Sequence, residues 1–267
     1  KLFRDWVKEK NILDLYEIIA YGLTPDKTIQ MIPVILGTGN NGKGAFLEIA
    51  SKFFGHQNVY RPQLSTLVSK FGFASSMYKK KFVAVRENSI VKFTKNESAI
   101  LKEQASERWI TVEFKNKQPF EIRNTAKLVL AFNDLPETDD NTKGWYRRWG
   151  EIIEFPRDLE KQIEEEQRLG IWREPLTTIS DVEFENLGKK LVRVLRELLS
   201  RGKFFSQKSI TESIKSYEEL SNQVKLFVKE ECVKTKNSKD YVIVKDLYNE
   251  FCDFEIKRGV SSTFILS

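Results

Sequence analysis

Residues 31–44 have the sequence MIPVILGTGNNGKG, in which a short apolar run leads directly into a glycine-rich loop. The loop matches the pattern G-x-x-x-x-G-K, which binds phosphate when it lies between a strand and a helix. The apolar run has the length of a buried strand, and residues 45–54 after the loop predict a helix. We therefore expect an α/β fold with a central parallel sheet that carries a phosphate-binding loop.

The composition of the loop fits this chemistry. Glycines let the backbone wrap so that N–H groups point at phosphate oxygens, and the next helix adds partial positive charge at its N-terminus. Lys43 is expected to reach the β- and γ-phosphates, whereas Gly44 stands where Ser or Thr usually binds Mg²⁺. The alternative is a glycine-rich turn with a chance lysine. The predicted nucleotide-binding residues are Gly37, Thr38, Gly39, Asn40, Asn41, Gly42, Lys43, Gly44 and Ala45.

Polar residues follow two of the three other segments that we predict to be buried strands, at 81–86, 127–132 and 151–155. Glu87 follows the first segment and is placed to act as a catalytic base and to bind Mg²⁺ through the nucleotide. Asn133 follows the second and could orient the attacking water or contact the γ-phosphate. Each has a simpler interpretation, a surface glutamate for Glu87 and the start of a turn with Asp134 for Asn133.

Two basic elements accompany these strands. Apolar residues alternate at 110–114 and 120–122, which predicts a β-hairpin with Lys115 and Lys117 in its turn. The two lysines are either part of a solvated turn or a contact for a nucleic-acid backbone. The segment KGWYRRW at 143–149 places Arg147 and Arg148 between two tryptophans. One arginine could act as a finger on the nucleotide of a neighbouring subunit, and one could stack between the rings.

The composition favours a polyanionic partner and excludes several kinds of catalytic site. The 267 residues include 44 Lys and Arg against 38 Asp and Glu, a net charge of +6 that suits nucleic acid without proving it. One histidine and two scattered cysteines exclude a zinc site, a Ser-His-Asp triad and a disulfide framework, and they indicate a reducing compartment. The longest apolar runs have only strand length, so we expect no membrane span.

We expect three segments along the chain, an N-terminal helical segment at 1–30, a core at 31–204 and a C-terminal module at 205–267. Helical spacing of apolar residues that ends at Gly22 supports the first segment. Two helical stripes support a small winged-helix-like module, or a partner-docking domain, in the last segment. Its stripe residues are Tyr217, Leu220, Val224 and Phe227, then Val244, Leu247, Tyr248 and Phe251. The abrupt ends at Lys1 and Ser267 suggest a fragment of a longer protein.

Five segments occur in order along most of the chain: GTGNNGKGAF at 37–46, FVAVRE at 82–87, AFNDLP at 131–136, KGWYRRW at 143–149 and EFP at 154–156. This set resembles the superfamily 3 helicase domain of phage, poxvirus and archaeal-plasmid primase–helicases. Taken together the segments are specific, although no single one would be.

The resemblance implies an AAA+ type core that forms a ring, usually hexameric, and pumps single-stranded DNA with ATP and Mg²⁺. It implies a Walker A role for residues 37–44, with Lys43 on the phosphates. It also implies a Walker B role for Glu87, a sensor role for Asn133 and a finger role for Arg148.

In such helicases a β-hairpin points into the channel of the ring. The segment 109–123 corresponds to that hairpin, and Lys115 and Lys117 would bind DNA phosphates. The family often shows Gly-Gly-Asp before the hairpin, where this chain has Ser106, Glu107 and Arg108. That departure bears on the coupling of ATP to DNA movement.

The resemblance also implies partners and a location. An N-terminal primase or polymerase part would belong to the same polypeptide, in the cytoplasm of a prokaryotic or virus-infected cell. A winged helix would offer a basic helix to duplex DNA, with Lys245, Lys257 and Arg258 as candidate contacts.

Two alternatives stay open from the sequence. Gly44, the missing Gly-Gly-Asp and Arg86, at a position where some relatives carry a second acid, favour a nucleotide-dependent replication initiator that binds DNA without unwinding it. A small-molecule P-loop phosphotransferase would share the loop without needing the basic hairpin.

Overall fold

A five-stranded parallel β-sheet lies at the centre of the molecule. The structure is a computed structural model, and it describes residues 2–69, 77–88, 92–114, 116–157, 159–235, 237 and 239–257. Numbered along the chain and given in their spatial order, the strands are β2 (Val59–Tyr60), β3 (Phe82–Glu87), β7 (Lys127–Phe132), β1 (Val34–Leu36) and β9 (Ile152–Glu154). Each neighbouring pair is parallel. The predicted α/β fold with a central parallel sheet is therefore confirmed.

The registers of these strands place their carboxyl ends level with one another. Leu36 of β1 is paired with Phe132 of β7 and with Glu154 of β9, and Glu87 of β3 is also paired with Phe132. Because β7 lies between β1 and β3, those two strands are about 10 Å apart at ~4.8 Å per strand. The residues that directly follow β1, β3 and β7 therefore lie at the same end of the sheet.

The strand boundaries differ slightly from those predicted. β1 begins at Val34 rather than at residue 31, since Pro33 has no N–H to donate to a neighbouring strand. β3 extends to Glu87, so that this acid is the last residue of its strand. β7 covers 127–132 as predicted, and all six of its residues are buried.

The helices surround both faces of the sheet. α3 begins at Lys43, two residues before the predicted start, so that Lys43 lies in its first turn. The capping box predicted between Thr94 and Glu97 is present at the start of α5. The helices are α1 (Leu2–Trp6), α2 (Ile12–Tyr21), α3 (Lys43–Phe54), α4 (Leu64–Leu67), α5 (Lys95–Ser106), α6 (Lys143–Arg148), α7 (Glu160–Arg168), α8 (Asp181–Arg201), α9 (Ile210–Ser221), α10 (Gln223–Glu231) and α11 (Val244–Lys257), with 3-10 turns at Glu9–Asn11, His56–Asn58 and Pro175–Thr178.

Two small sheets complete the strand inventory of the described residues. β4 (Lys92–Phe93) pairs with β8 (Glu137–Thr138). β5 (Trp109–Val112) pairs antiparallel with β6 (Phe120–Arg123), which confirms the predicted hairpin. Lys115, one of the two lysines predicted for its turn, lies outside the described residues, whereas Lys117 is described and exposed.

Alternate residues of the central sheet enter two separate cores, which explains why its strands are continuous apolar runs. On one face Ile35, Ala84 and Ala131 pack with apolar residues of α1, α2, α3 and α8. On the other face Val34, Val85 and Leu130 pack with residues of α4, α5, α6 and α9. The glycine-rich loop is therefore attached to a sheet that is buried on both sides.

The C-terminal helices continue from this core. Tyr217 of α9 is buried, and its hydroxyl donates to the carbonyl oxygen of Pro136 at 2.6 Å. α10 and α11 share a smaller cluster of Leu226, Phe227 and Phe254. Within the described part of the chain no strand follows Glu154, so these residues provide helices but no wing strand. The predicted domain boundaries and the winged-helix identity stay predictions. Arg258 lies outside the described residues, and Lys245 is exposed.

No helix among the described residues has the length and hydropathy that a membrane span requires.

Candidate phosphate-binding site

The glycine-rich loop lies at the carboxyl end of β1 and leads into the N-terminus of α3. In open sheets of parallel strands, ligands bind in the crevice outside this end. Two residues of the loop have left-handed backbone conformations, Asn40 with φ 46° and Gly42 with φ 95°. The loop therefore makes the sharp reversal that lets backbone N–H groups converge on an anion.

Gly42 is required here for two reasons. Its φ of 95° is one that residues with a side chain rarely adopt, and a Cβ atom would lie 2.5 Å from Cδ1 of Trp6. Trp6 comes from α1, is almost fully buried and also stacks on Phe155, with ring centroids 6.4 Å apart. The N-terminal helix thus packs directly against the phosphate loop, a contact that the sequence analysis did not predict.

Lys43 is buried, although its position is the one that should contact phosphate. Its Nζ atom donates to the carbonyl oxygens of Gly37 and Thr38, the latter at 2.9 Å, and to Oδ1 of Asn41 at 3.2 Å. Burial, reinforced by the charge of Arg86 and opposed by that of Asp134, lowers the pKa of Lys43 to about 8. The ammonium group is held by loop dipoles that a phosphate group could replace.

Asn41 ties the loop to the neighbouring strand. Its Nδ2 atom donates to the carbonyl oxygen of Thr38 at 2.5 Å and to that of Phe155 at 3.2 Å. Phe155 directly follows β9, and its own N–H donates to the carbonyl oxygen of Leu36 at 2.7 Å. The loop is therefore fixed on the β9 side by the Asn41 side chain, next to the backbone hydrogen bond between Phe155 and the end of β1.

Glu87 and Asn133 lie at the same end of the sheet as Lys43, as predicted from the parallel strands. Glu87 is half-buried, and its Oε1 atom accepts the N–H of Asn88 at 3.0 Å. Nδ2 of Asn133 donates to the carbonyl oxygen of Asn88 at 3.5 Å. The structure thus brings the three predicted catalytic residues of this end together around the segments that follow β1, β3 and β7.

Two further charged residues belong to this site. Asp134 is almost fully buried and acts electrostatically on Lys43, although its sequence position suggested only a turn. Arg86 lies beside the first turn of α3, where a Cβ atom added at Gly44 would come within 3.1 Å of its Nη1 atom. For Asp134 the signal in the sequence was adjacency to Asn133, whereas Arg86 stood out as a cation at a position where some relatives of the resembled family carry a second acid.

A cavity of about 590 Å³ adjoins this side of the loop. Its lining includes Gly44, Ala45, Arg61, Gln63, Arg86 and Glu174. Arg61 forms an ion pair with Glu48 on α3. The cavity therefore lies beside the glycine-rich loop and has a mixed wall, in which two arginines stand among apolar side chains.

The residues at the loop do not form a protein-bound Mg²⁺ site. Gly44 has no hydroxyl group, and Glu87 is the single acid at the end of β3. Nowhere in the described ranges do three His, Cys, Asp or Glu side chains cluster in a way that could hold a metal. Oxygen ligands from the nucleotide and from water would have to complete the coordination of Mg²⁺.

Arg148 lies at the end of α6 and is held against α5. Its guanidinium group donates to the carbonyl oxygens of Lys102 and Gly144, at 3.3 and 2.6 Å, and to Oγ of Ser106 at 2.6 Å. The rings of Trp145 and Trp149 pack directly on each other with centroids 4.8 Å apart, which leaves no space for an arginine between them. The stacking interpretation is therefore wrong for Arg148, and Ser106, part of the departure from Gly-Gly-Asp, is one of its partners.

The hairpin presents aromatic as well as basic side chains. Trp109 is 61% exposed at the start of β5. Phe114 and Phe120 stack with centroids 5.9 Å apart, and both rings contact Tyr78 edge-on. Lys117 lies in the turn with its side chain exposed. The described part of the hairpin therefore has an ordered aromatic base below an exposed basic turn.

Comparisons with known proteins give a limited match. A model for a family of unknown function (DUF5906) matches residues 35–148, from β1 to α6. No curated protein matches. The apo structure of the C-terminal region of NrS-1 is similar with a TM-score of 0.52 and 15% identity over 83% of this chain and 50% of that chain. A protein from Cytophaga hutchinsonii ATCC 33406 described as a candidate ATPase has a TM-score of 0.41 and 12% identity over 73% of this chain and 60% of that chain.

The likeness to the NrS-1 region concerns the fold alone, because the identity is only 15%. The shared fold agrees with a P-loop-like core around the central parallel sheet. The chain spans half the length of that region. Roles of individual residues must therefore be argued from the geometry of this chain.

Proposed function

We propose that this chain is the ATPase core of a superfamily 3 type DNA helicase, which works as a hexameric ring on single-stranded DNA. The observation that carries the proposal is the position of Lys43. Its buried ammonium group lies in the first turn of α3, at the end of the sheet where Glu87 and Asn133 also lie. A cation, an acid and an amide at the end of a loop built for anions are the parts that phosphoryl transfer from ATP needs.

In this proposal, ATP replaces the carbonyl groups that hold Lys43. The residues Gly37, Thr38, Gly39, Asn40, Asn41, Gly42, Gly44 and Ala45 provide backbone N–H groups and space for the phosphates. Lys43 neutralises the β- and γ-phosphates, Glu87 polarises the attacking water and Asn133 orients it. Glu87 is the acid that would contact Mg²⁺ held by the nucleotide, and the metal would supply charge that neutralises the phosphates.

Arg148 is proposed as a finger that acts on the nucleotide of the neighbouring subunit. Its hydrogen bonds to α5 and to Gly144 hold the guanidinium group in one place. Such preorganisation favours stabilisation of transition-state charge. A homo-oligomeric ring is what would bring this group to a second phosphate loop.

The hairpin β5–β6 is proposed to contact single-stranded DNA. Lys115 and Lys117 would bind phosphates, and the exposed ring of Trp109 could stack on a base. The primase or polymerase part, the cytoplasmic location and a contact of the C-terminal module with duplex DNA rest on the family resemblance.

ATP hydrolysis with and without single-stranded DNA, on protein whose mass is followed by light scattering, tests the proposal. We expect turnover that DNA stimulates, in a species of several subunits. Turnover by a monomer that ignores DNA would contradict it and would favour a small-molecule phosphotransferase.

The Arg148→Ala variant tests the finger. We expect ATP binding to be nearly intact and turnover to fall about 10³-fold, as for other arginine fingers. Arg147→Ala is the control, because Arg147 is the adjacent, exposed arginine of the same helix. Equal effects of the two variants would remove the support for a finger at Arg148.

The second candidate is a nucleotide-dependent initiator that binds DNA without unwinding it. Ser106 favours it, because this residue of the divergent segment before the hairpin is bonded to Arg148 rather than forming a glycine turn. A strand-displacement assay separates the candidates, since ATP-dependent unwinding would exclude the initiator.

A further inference from the structure

Arg86 and Glu87 are adjacent on β3 and point to opposite faces of the sheet. Phe82 and Ala84, which share the face of Arg86, pack in the same core as α3, whereas Val83 and Val85 pack in the other core. The residue on the α3 side, next to the phosphate loop, is therefore the arginine. An acid at this position would face Mg²⁺, but this chain has a cation there.

Gly44 leaves space for the side chain of this arginine. A Cβ atom at residue 44 would be 3.1 Å from Nη1 of Arg86, so a Ser or Thr side chain there would crowd the guanidinium group. A metal-binding hydroxyl at residue 44 would therefore be in tight contact with this arginine unless the guanidinium group shifted. This chain has glycine at position 44 and the cation at position 86.

The charge of Arg86 is directed to the site rather than neutralised elsewhere. Burial lowers the pKa of the Lys43 ammonium and the charge of Arg86 lowers it further, so the two cations are close enough to repel each other. Arg61, on the same cavity wall, is paired with Glu48, whereas Arg86 forms no ion pair with any residue that the structure describes. Two neighbouring cations at the mouth of an anion-binding loop favour a multiply charged anion.

We propose that Arg86 binds the nucleotide phosphates at the place where Mg²⁺ is usually held, so that nucleotide binding depends little on Mg²⁺. The inference rests on the proposed binding of ATP at the loop. A planar guanidinium group can form two hydrogen bonds to phosphate oxygens and carries a permanent charge.

The test measures the affinity for AMP-PNP, a non-hydrolysable ATP analogue, by calorimetry in excess Mg²⁺ and in excess EDTA. We expect the natural chain to bind with dissociation constants that agree within about threefold under the two conditions. Arg86→Gln should weaken binding in EDTA at least about tenfold, the loss expected for charged hydrogen bonds. Arg61→Gln is the matched control, because this side chain lines the same cavity but is paired with Glu48.

The inference would be overturned if the natural chain bound AMP-PNP in Mg²⁺ but not in EDTA, or if Arg86→Gln and Arg61→Gln lost the same affinity. Either result would leave ATP binding at the loop in place. Absence of binding under both conditions, in protein whose melting curve is intact, would instead refute the proposed function.

A second variant introduces the Mg²⁺ ligands that this chain lacks. Gly44→Ser combined with Arg86→Asp restores the usual metal ligands, and its affinity should become strongly dependent on Mg²⁺; an affinity that stays indifferent to Mg²⁺ would count against the inference.

Discussion

The glycine-rich loop holds one buried cation, Lys43, on backbone carbonyl groups, whereas the junction between α2 and α8 holds three buried acidic side chains. These acids are Asp14 and Glu17 on α2 and Glu151 just before β9. Both regions desolvate charge, which is costly unless partners replace water. The partners differ in their distance along the chain, because Lys43 is bonded to groups of its own loop and the acids Asp14 and Glu17 to groups far away in sequence.

At the junction the partners are fixed by tertiary structure. Glu17 forms an ion pair with Arg201, 184 positions further along the chain, and accepts the N–H of Phe205 at 2.8 Å. Asp14 accepts the N–H and hydroxyl of Ser206 at 3.0 and 2.6 Å. Asp14 and Glu17 thus join α2 to the end of α8 and to the segment that follows it.

The pKa values follow the same contrast. Burial raises the pKa of Asp14 and Glu17, and burial together with these two acids raises the pKa of Glu151 to about 9. Lys43 is shifted in the opposite direction, to about 8. A charge held by dipoles of a local loop can be transferred to a ligand, whereas acids whose partners are distant in sequence depend on the fold to bring those partners to them. We therefore expect changes in the two regions to affect different properties.

The largest effect is expected for Lys43→Ala, which removes the cation of the loop. Nucleotide binding should weaken at least about 100-fold, because several charged hydrogen bonds to phosphate are lost. The melting temperature should change by less than about 4 °C, since the hydrogen bonds of Lys43 stay within the loop and the distant interaction that is lost is the electrostatic one with Asp134. Calorimetry and thermal unfolding measure the two quantities, with the exposed Lys52→Ala in the same helix as control. Retained binding would show that the loop does not hold phosphate.

Arg201→Met should affect stability instead of binding. Glu17, whose side chain is 1% exposed, would lose its ion-pair partner, while the Arg201 side chain is itself 27% exposed. We expect a loss of about 3 kcal/mol in the free energy of unfolding, at the low end for a broken buried pair. Denaturant unfolding measures this loss, and Arg196→Met, an exposed arginine of the same helix, should stay within ~0.5 kcal/mol. A selective loss of nucleotide affinity in Arg201→Met would contradict the expectation that this junction affects stability and the loop affects binding.

Glu151→Gln is expected to stabilise the protein in a pH-dependent way. The folded-state pKa of about 9 is above the ordinary value of 4.5, so the folded state keeps a proton that the unfolded state releases. The stability of the natural chain should therefore fall as pH rises from 4.5 toward 9, and Oε2 of Glu151 has no hydrogen-bond partner to offset this. The variant should be more stable by roughly 1–3 kcal/mol at about pH 7, and this difference should vanish as the pH falls to 4.5. Glu154→Gln, at the exposed last residue of β9, is the control; a constant difference at all pH values would contradict the prediction.

The smallest effect concerns the pH dependence of nucleotide affinity. Lys43 loses its proton above about pH 8 in the free protein, whereas bound phosphate would favour the charged form. The affinity should be nearly constant below that pH and fall above it, by at most about tenfold per pH unit. Calorimetry in two buffers of different ionisation enthalpy should detect uptake of about one proton at about pH 9. Lys43→Arg, which stays charged, should show no such slope.

Much of the fold could be predicted because its signals are local. The apolar run of β7, the capping box of α5 and the alternation in the hairpin each depend on residues within a few positions of one another. The same holds for the loop and for Glu87 and Asn133, which directly end or follow buried strands. Parallel strands then bring these residues to one end of the sheet.

The remaining features of the site could not be predicted, because each depends on the register of strands or on helix packing. Trp6 on Gly42, Arg86 beside Gly44 and Ser106 on Arg148 join residues whose spacing carries no periodic signal. The buried carboxylates show the same limit. Asp14 lies on a helix with an apolar pattern, and nothing near it indicates that Ser206 will be its partner.

The sequence by itself determined the order of strand, loop and helix, the identity of the loop lysine and the acid and amide that accompany it, because short-range periodicity and glycine conformations specify them. Only the tertiary structure decided which charges meet. It placed Arg86 rather than an acid on the α3 side of the loop and held Lys43 on carbonyl groups. It also paired Glu17 with Arg201, since electrostatic interactions act through space between residues that the fold brings together.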